Sequence, residues 1–375
     1  MKRNCFALLC GLLLVLSTGC AGCDTGTEEK TFVNDNSVAI MTWNVQSLFD
    51  GIDDGTEYED FRESAGWSGE KYRGRLNVIG AAIGGMGRKP DIIALQEVES
   101  AQVLADLASV LAYGQTYFAN IPGMALGVGL VSRLPFDSVK SHLVYINGDI
   151  APRPMLEARI NVSADNNKSQ IVLFVCHWKS KLGSEDVTEA ARRASARILL
   201  RRIRELAESE PELPVIVMGD LNENHDEFYR RSGTVVSAIL PDDPRAAEFT
   251  GLYGFVSDDG EAIIGQQQDF IIISKNKPPA ARYFPGGVTV LYSPWAADLD
   301  DGSYYYKNSW ETIDHFLLAP QLFSGTGWDF VSCQVVNYPP FASVKGLPVA
   351  YNPRTGAGLS DHLPLLLFLK WQGCE

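Results

Sequence analysis

The sequence predicts a mixed α and β fold in which layered sheets are covered by helices. Short apolar runs rich in β-branched residues recur along the chain, helical patterns fall between them, and the runs outnumber the helices. The chain has 375 residues, 46% of them hydrophobic and 21% charged, which is the composition of a globular protein with a large core. No internal repeat or low-complexity linker follows residue 37. One large domain is therefore predicted for residues 38–375.

Eight apolar runs have the length of buried strands, and several of them end in polar residues. These runs cover residues 38–43, 92–95, 127–131, 171–176, 215–218, 270–273, 312–318 and 363–368. Two helices are predicted, one at residues 72–85 after a glycine-rich loop and one at residues 184–208, where apolar side chains recur with helical spacing. The stretch 223–306 is rich in proline and glycine, which predicts long loops at one rim of a site.

The formal net charge of −14 argues against tight, non-specific binding of nucleic acid. A protein of this kind lacks the basic surface that normally collects phosphates. A nuclease is still compatible with the charge, because a site that holds divalent cations supplies positive charge where the phosphate lies. Smaller phosphoesters are also compatible with it.

The N-terminus has the pattern of an export signal. Lys2 and Arg3 precede an apolar run of 11 residues, 6–16, and small residues then lead to Cys20. The run is too short to span about 30 Å of hydrocarbon as a permanent helix. A cysteine at this point resembles the lipidation site of bacterial lipoproteins, although Leu16 lies four residues before Cys20, one more than is usual. Cys23 is the alternative site.

These features predict a signal peptide at residues 1–19 and a lipidated Cys20 that begins a flexible tether at residues 20–37. The domain is then expected in the bacterial cell envelope, anchored by lipid to a membrane and facing outside the cytoplasm. Simple secretion is the alternative.

Polar side chains stand at the ends of five of the apolar runs. They are Asn44, Glu97, His177, Asp220 with Asn222, and Asp361 with His362. Each has an ordinary structural explanation when taken alone, since an asparagine after a strand usually makes a turn and a lone histidine is more often structural than catalytic. Their joint occurrence in this order indicates a functional site.

With Asp314 in the segment TIDHFLLA, these residues resemble the motifs of the endonuclease/exonuclease/phosphatase (deoxyribonuclease I-like) superfamily over about residues 38–371. The resemblance implies an α+β fold, a four-layer α/β/β/α sandwich of two packed mixed β-sheets flanked by helices. It also implies divalent-metal-dependent hydrolysis of phosphoester bonds, with Mg²⁺ or Mn²⁺ as cofactor.

By resemblance, Asn44, Glu97 and Asp361 form the metal environment. Carboxylate and amide oxygens are the ligands that such hard cations prefer. Asp220 is expected to orient and deprotonate the attacking water, and Asn222 to hold the same water or a phosphate oxygen.

The resemblance also assigns His362 as the catalytic imidazole, with Asp314 hydrogen-bonded to it. His177 is expected to contact phosphate or to assist the leaving group, and the sequence does not identify its partner. Arg153 resembles a phosphate-binding arginine of the family, and Arg159 is the competing candidate.

The predicted function is hydrolysis of nucleic acid outside the cytoplasm, as an endonuclease or phosphodiesterase. Abasic-site repair is disfavoured, because exonuclease III-type enzymes usually carry an acidic residue or asparagine in place of Gln46 and a tyrosine in place of His177. Tyr304, Tyr305, Tyr306 and Trp310 suit stacking on a base, or a strand with core and edge aromatics.

The alternatives are a sphingomyelinase or inositol-phosphate phosphatase, and an inactive binding lipoprotein. The expected partners are a phosphoester substrate, nucleic acid or nucleotide, and a membrane reached through the lipid anchor. No protein partner is inferred, and a monomer is expected.

Overall fold

The computed structural model describes residues 36–146, 148–151, 153–164, 167–250, 268–277 and 288–373. Contacts between Cα atoms group the chain into two units, Met1–Lys30 and Thr31–Glu375, and every described residue belongs to the second. The signal peptide, Cys20, Cys23 and nearly all of the predicted tether lie outside the described residues. Among the helices of the described residues, none combines the length and apolar character needed to cross a membrane.

The described residues form eighteen strands and five α-helices. The strands are β1 (Ser37–Leu48), β2 (Ile92–Val98), β3 (Gln115–Ala119), β4 (Gly127–Ser132), β5 (Phe136–His142), β6 (Tyr145–Ile146), β7 (Asp149–Ile150), β8 (Met155–Ala164), β9 (Asn167–His177), β10 (Val215–Asp220), β11 (Ile239–Pro241), β12 (Ile271–Ser274), β13 (Val290–Tyr292), β14 (Tyr304–Tyr306), β15 (Ser309–Glu311), β16 (Asp314–Leu318), β17 (Gly327–Val335) and β18 (Leu365–Gln372). The helices are α1 (Gly69–Gly84), α2 (Ala101–Leu111), α3 (Glu185–Ser209), α4 (Glu227–Arg230) and α5 (Pro244–Thr250).

Two large mixed sheets contain most of the strands. The first has the order β17-β18-β1-β2-β4-β3, and the second has the order β11-β12-β13-β16-β10-β9-β8-β5. In the first sheet β1 and β2 run parallel, and in the second β9 and β10 run parallel, while β16 runs antiparallel to β10. The carboxyl end of β10 therefore lies beside the amino end of β16. The hairpins β6-β7 and β14-β15 stand apart from both sheets.

The core lies between the two sheets because each central strand alternates its side chains between two faces. In β1, Val38 and Ile40 join a buried cluster that also contains Leu173 and Val175 of β9. Each fully buried side chain of this size stabilises the fold by about 1.5–3 kcal/mol. This shared cluster fixes one sheet against the other.

The outer face of each sheet is covered by helices. Met41 and Trp43 of β1 pack in a second cluster with residues of α1 and α2, such as Ile79 and Leu104. On the other sheet, Phe174 packs with residues of α3 in a third cluster. Helix α1 begins after Ser68, whose side chain accepts a hydrogen bond from the main-chain N–H of Lys71.

This arrangement confirms the predicted sandwich of two mixed sheets flanked by helices. All eight apolar runs overlap strands, and both predicted helices are present, the first of them beginning at Gly69 rather than residue 72. The stretch 223–306 is more regular than predicted, since its described parts contain α4, α5 and the strands β11 to β14. Residues 251–267 and 278–287 lie outside the described part of that stretch.

Candidate active site

Three neighbouring strands of the second sheet end or begin at predicted site residues. Asp220, the last residue of β10, is paired in register with His177 at the end of β9 and with Asp314 at the start of β16. Parallel strands deliver their carboxyl ends to the same edge, and the antiparallel β16 begins at that edge. The side chains of all three residues are buried.

The first sheet contributes Asn44 and Glu97 from the adjacent parallel strands β1 and β2. Glu97 lies at an irregularity in the pairing of β2, and its backbone has a φ of 64°. Such a left-handed conformation is uncommon for a residue with a Cβ and is found often at functional sites. Asn44 Nδ2 donates hydrogen bonds to Glu97 Oε1 at 3.2 Å and to Asp220 Oδ2 at 3.0 Å. The amide of Asn44 thus joins the functional edges of the two sheets.

Glu97 and Asp361 supply the carboxylates suited to a metal ion. Glu97 Oε2 accepts hydrogen bonds from the main-chain N–H of Ser47 at 2.8 Å and from Ser47 Oγ at 3.1 Å. Burial raises the pKa of Asp361, and the carboxylate of Glu97 raises it further, whereas His362 opposes the rise. A cation bound between these carboxylates would relieve their repulsion. The donor set is made of oxygen atoms, and it therefore fits a hard divalent cation such as Mg²⁺ or Mn²⁺.

His362 and Asp314 form a buried pair. His362 Nδ1 lies 2.8 Å from Asp314 Oδ2, which also accepts a hydrogen bond of 2.7 Å from Ser303 Oγ. Burial lowers the pKa of His362, but the charge of Asp314 and its hydrogen bond outweigh burial and raise the pKa to about 10. The imidazole is therefore protonated at neutral pH and able to act as an acid.

Asp220 has the properties of a base. Its Oδ1 accepts a hydrogen bond from the main-chain N–H of Asn222 at 2.9 Å. Burial raises the pKa of Asp220, and the nearby carboxylate of Asp314 raises it further. A carboxylate with a raised pKa takes a proton from water more readily than an ordinary one does. The site thus contains a proton acceptor, Asp220 at the end of β10, and a proton donor, His362 in the segment before β18.

The structure places two carboxylates beside His177, whose partner the sequence left open. His177 Nε2 lies 3.5 Å from Asp220 Oδ2 and 3.9 Å from Glu97 Oε1. These distances suit an ion pair only if the imidazole is charged. Burial lowers the pKa of His177 well below its usual range, and the positive charges of Arg153 and His362 lower it further. We therefore describe His177 as a neutral imidazole able to donate one hydrogen bond to a phosphate oxygen.

The two candidate phosphate-binding arginines differ in their surroundings. Arg153 Nη1 donates to the carbonyl of Trp178 at 2.5 Å, and the same carbonyl accepts a bond of 3.2 Å from Asn222 Nδ2. Arg153 also acts electrostatically on His177. Arg159 forms a two-pronged ion pair with Glu210. Arg153 therefore belongs to the site, whereas Arg159 has a structural pairing.

Ligand-capable atoms of Asp220, Asp314 and His362 lie within 4.8 Å of one another. The hydrogen bond between Asp314 and His362 occupies one atom of each. That hydrogen bond leaves the cluster with fewer atoms available to a cation, and Glu97 with Asp361 is the other pair of carboxylates suited to one. The roles of Ser47 and Ser303 were not predicted from the sequence. For Ser47, the only signal in the sequence was its position close to Asn44 along the chain.

The family model described as the Endonuclease/Exonuclease/phosphatase family matches residues 39–273. The chain belongs to this family. The matched region contains Asn44, Glu97, His177 and Asp220, and Asp361 with His362 follows it along the chain. Metal-dependent hydrolysis of phosphoester bonds is the activity of the family, which confirms the predicted enzyme class.

Several solved structures resemble the chain at low sequence identity. A TDP2 of D. rerio, complexed with single strand DNA product, is 14% identical with a TM-score of 0.50, and the match covers 90% of this chain and 100% of that one. A family protein from Bacteroides thetaiotaomicron is 14% identical with a TM-score of 0.49, covering 90% and 99%. The human Nocturnin catalytic domain is 17% identical with a TM-score of 0.46, covering 90% and 95%. No curated protein matches the chain.

The substitution Asp314→Asn is expected to move the basic limb of the pH–rate profile to lower pH. In the wild-type protein, the charge of Asp314 raises the pKa of His362 against the effect of burial. Without that charge, burial lowers the pKa, and the protonated imidazole is lost at a lower pH. The measurement is kcat as a function of pH for both proteins. A basic limb that stays at the wild-type pH in Asp314→Asn would contradict the role given to the pair.

Proposed function

We propose that the protein cleaves phosphodiester bonds of nucleic acid or nucleotides outside the cytoplasm, as an endonuclease or phosphodiesterase. The observation that supports the proposal is the convergence of two carboxylates, Glu97 and Asp361, with the buried side chains of Asp220 and His362, whose pKa values are both raised. Hydrolysis of a phosphoester needs these elements together, namely a cation, a positioned water and a proton donor.

Each side chain has a distinct task in this proposal. A divalent cation at Glu97 and Asp361, Mg²⁺ or Mn²⁺, supplies positive charge for the phosphate oxygens. Asp220 orients the attacking water and takes its proton. His362, held by Asp314, gives a proton to the leaving oxygen.

The phosphate itself is held from the other side of the site. Arg153 contacts phosphate oxygens through its guanidinium, and neutral His177 donates one hydrogen bond to them. Asn222 holds the water or a phosphate oxygen. Arg153 and Asn222 are both bonded to the carbonyl of Trp178, so their positions are coupled.

An aromatic stack beside His362 favours a substrate with a planar base. The ring of Tyr304 stacks on His362 with centroids 4.5 Å apart, and Tyr306 stacks on Tyr304 with centroids 6.0 Å apart. Tyr306 is 46% exposed, so its ring is accessible to a ligand. Stacking of a base on such a ring contributes about 1–3 kcal/mol and tolerates any base. The D. rerio TDP2, which shares the fold, was solved in complex with a single strand DNA product, a ligand of the same class.

The proposed location rests on the N-terminal sequence. The segment that ends at Cys20 supports export, lipidation and a location in the bacterial cell envelope, facing outside the cytoplasm. Nucleic acid outside the cell is then the substrate within reach, which suits a role in nucleotide scavenging.

The proposal is tested by assaying the domain from Ser37 onward on plasmid DNA, RNA, sphingomyelin and inositol phosphates. We expect cleavage of DNA or RNA with Mg²⁺, loss of cleavage with EDTA, and no turnover by Asp220→Asn because that variant lacks the base. Tyr306→Leu is expected to raise KM for nucleic acid about 10-fold, the effect of losing one stacked base. The exposed tyrosine Tyr145 provides a matched control, Tyr145→Leu.

Cleavage of sphingomyelin or inositol phosphates without cleavage of nucleic acid would contradict the proposed substrate class. Inactivity on every substrate with any divalent metal would favour a binding lipoprotein. Full activity of Asp220→Asn would contradict the proposed mechanism whatever the substrate.

The substitution Cys20→Ser is expected to release the full-length protein from the membrane fraction of a bacterial host. The serine has no thiol to receive the lipid, and the remaining sequence is unchanged. Fractionation and labelling with a radioactive fatty acid measure the outcome, with Cys23→Ser as the matched control. Labelling that persists in Cys20→Ser and is lost in Cys23→Ser would move the anchor to Cys23, and labelling absent from the wild type would indicate secretion.

A further inference from the structure

Arg75 carries a buried charge that lies behind the metal-binding end of the site. The residue belongs to α1 and is only 3% exposed. Its Nη1 donates to the carbonyl of Ser47 at 2.8 Å, and its Nη2 donates to the carbonyls of Val45 and Gln46, both at 2.6 Å. The guanidinium also lies over the ring of Tyr351, 3.8 Å from its centroid. One side chain therefore binds three consecutive carbonyls of the turn that ends β1.

The burial of this arginine is energetically costly. Taking an ionised group out of water costs several kcal/mol unless other groups replace the lost solvent. The cost is visible in the pKa of Arg75, which burial lowers to about 10 although Tyr351, Glu97 and Asp361 act to raise it. An apolar side chain at this position would avoid that cost but would leave the three carbonyls of the turn without this donor. The benefit of the arginine must therefore lie in the turn that it holds.

That turn is strained, and it holds Glu97. Gln46 and Ser47 both have positive φ, 53° and 56°, a conformation that costs about 1–3 kcal/mol for each residue with a side chain. The strained conformation directs both the main-chain N–H and the hydroxyl of Ser47 to Glu97 Oε2. If the turn relaxed, Glu97 would lose two of the hydrogen bonds that orient its carboxylate.

The same turn holds the loop that carries Asp361. Gln46 Oε1 accepts hydrogen bonds from the main-chain N–H groups of Tyr351 at 2.6 Å and of Asp361 at 3.0 Å. Gln46 Nε2 donates to the carbonyl of Tyr351 at 3.2 Å. Both the oxygen and the nitrogen of the Gln46 amide are therefore bonded to backbone groups. It ties the Asp361 loop to the turn that orients Glu97.

We propose that Arg75 and Gln46 are positioning residues that set the separation of the Glu97 and Asp361 carboxylates and thereby the affinity of the site for a divalent cation. The inference rests on the proposed metal-binding role of those two carboxylates. Arg75 holds the turn in its strained form, and Gln46 transmits the position of the turn to the Asp361 loop. In this proposal both residues act through hydrogen bonds to main-chain groups and not through contact with the metal or the substrate.

The test measures binding of Mn²⁺ alone to the metal-free protein by isothermal titration calorimetry, without substrate. The variant Gln46→Met keeps the length of the side chain and removes all three hydrogen bonds of the amide. We expect its Kd for Mn²⁺ to rise about 10–100-fold, the usual effect of removing an outer-shell partner of a metal ligand. The matched control is Gln102→Met, which changes an exposed glutamine on α2 whose amide bonds only Asp106.

Arg75→Lys is the second variant, because it keeps the charge and loses the fork that binds several carbonyls at once. It is expected to weaken Mn²⁺ binding in the same direction. The thermal unfolding midpoint of each metal-free variant is measured in parallel. Gln46→Met is expected to unfold below the wild-type temperature, because two main-chain N–H groups lose their acceptor, but to remain folded at the temperature of the titration. This separates a loss of metal affinity from a loss of the fold.

Glu97→Gln is expected to abolish the binding of Mn²⁺. If it does so while Gln46→Met leaves the Kd unchanged, this inference is overturned and the metal site stands. A wild-type protein that binds no Mn²⁺, or whose binding is unaffected by Glu97→Gln, would overturn the inference together with the metal site. A higher Kd in Gln46→Met with an unchanged Kd in Gln102→Met would support it.

Discussion

The hydrogen bonds of the Asn44 amide are the interaction on which the rest of the site depends. Asn44 is 1% exposed, and its Nδ2 reaches Glu97 in its own sheet and Asp220 in the other sheet. Its Oδ1 accepts from the main-chain N–H of Gln46 at 2.9 Å, which fixes the orientation of the amide. A neutral donor is needed here, because two carboxylates approach it in a buried environment where a third negative charge would be strongly repelled. The two sheets pack through apolar side chains, and this polar contact joins their functional edges.

The Asn44 amide lies between two groups of side chains, for which we propose metal binding and proton transfer. On one side lie the carboxylates of Glu97 and Asp361, whose mutual repulsion a bound cation would relieve. On the other side lie Asp220 and the pair His362–Asp314, whose proposed role is proton transfer. Burial raises the pKa of Asp220, and the charge of Asp314 raises the pKa of His362 against the opposing effect of burial. Ser360 connects the two groups of side chains. Its Oγ donates a hydrogen bond to the carbonyl of Asn44 at 2.7 Å and accepts one from the main-chain N–H of His362. A chain with a net charge of −14 can therefore present a locally attractive site to phosphate.

Sequence reasoning succeeded where burial leaves a strong pattern. Strands such as β1, β10 and β16 are buried on both faces and read as continuous apolar runs, and each carries a polar residue at the end that enters the site. Strands β5 and β17 were missed because their side chains are half exposed and the apolar pattern is broken. The turn at Gln46 and Ser47 was also missed, since no glycine marks its positive φ. Arg75 was not singled out because a helical arginine is normally solvated, and only the packed structure shows that it is buried.

The most direct test of the division of the site is the position of Mn²⁺ in a crystal of the protein soaked with that ion, located by its anomalous scattering. We expect a peak bound by the carboxylates of Glu97 and Asp361 on the Asn44 side of the site, with the hydrogen bond between Asp314 and His362 preserved. A peak held instead among Asp220, Asp314 and His362 would contradict the division of the site into a metal-binding half and a proton-handling half.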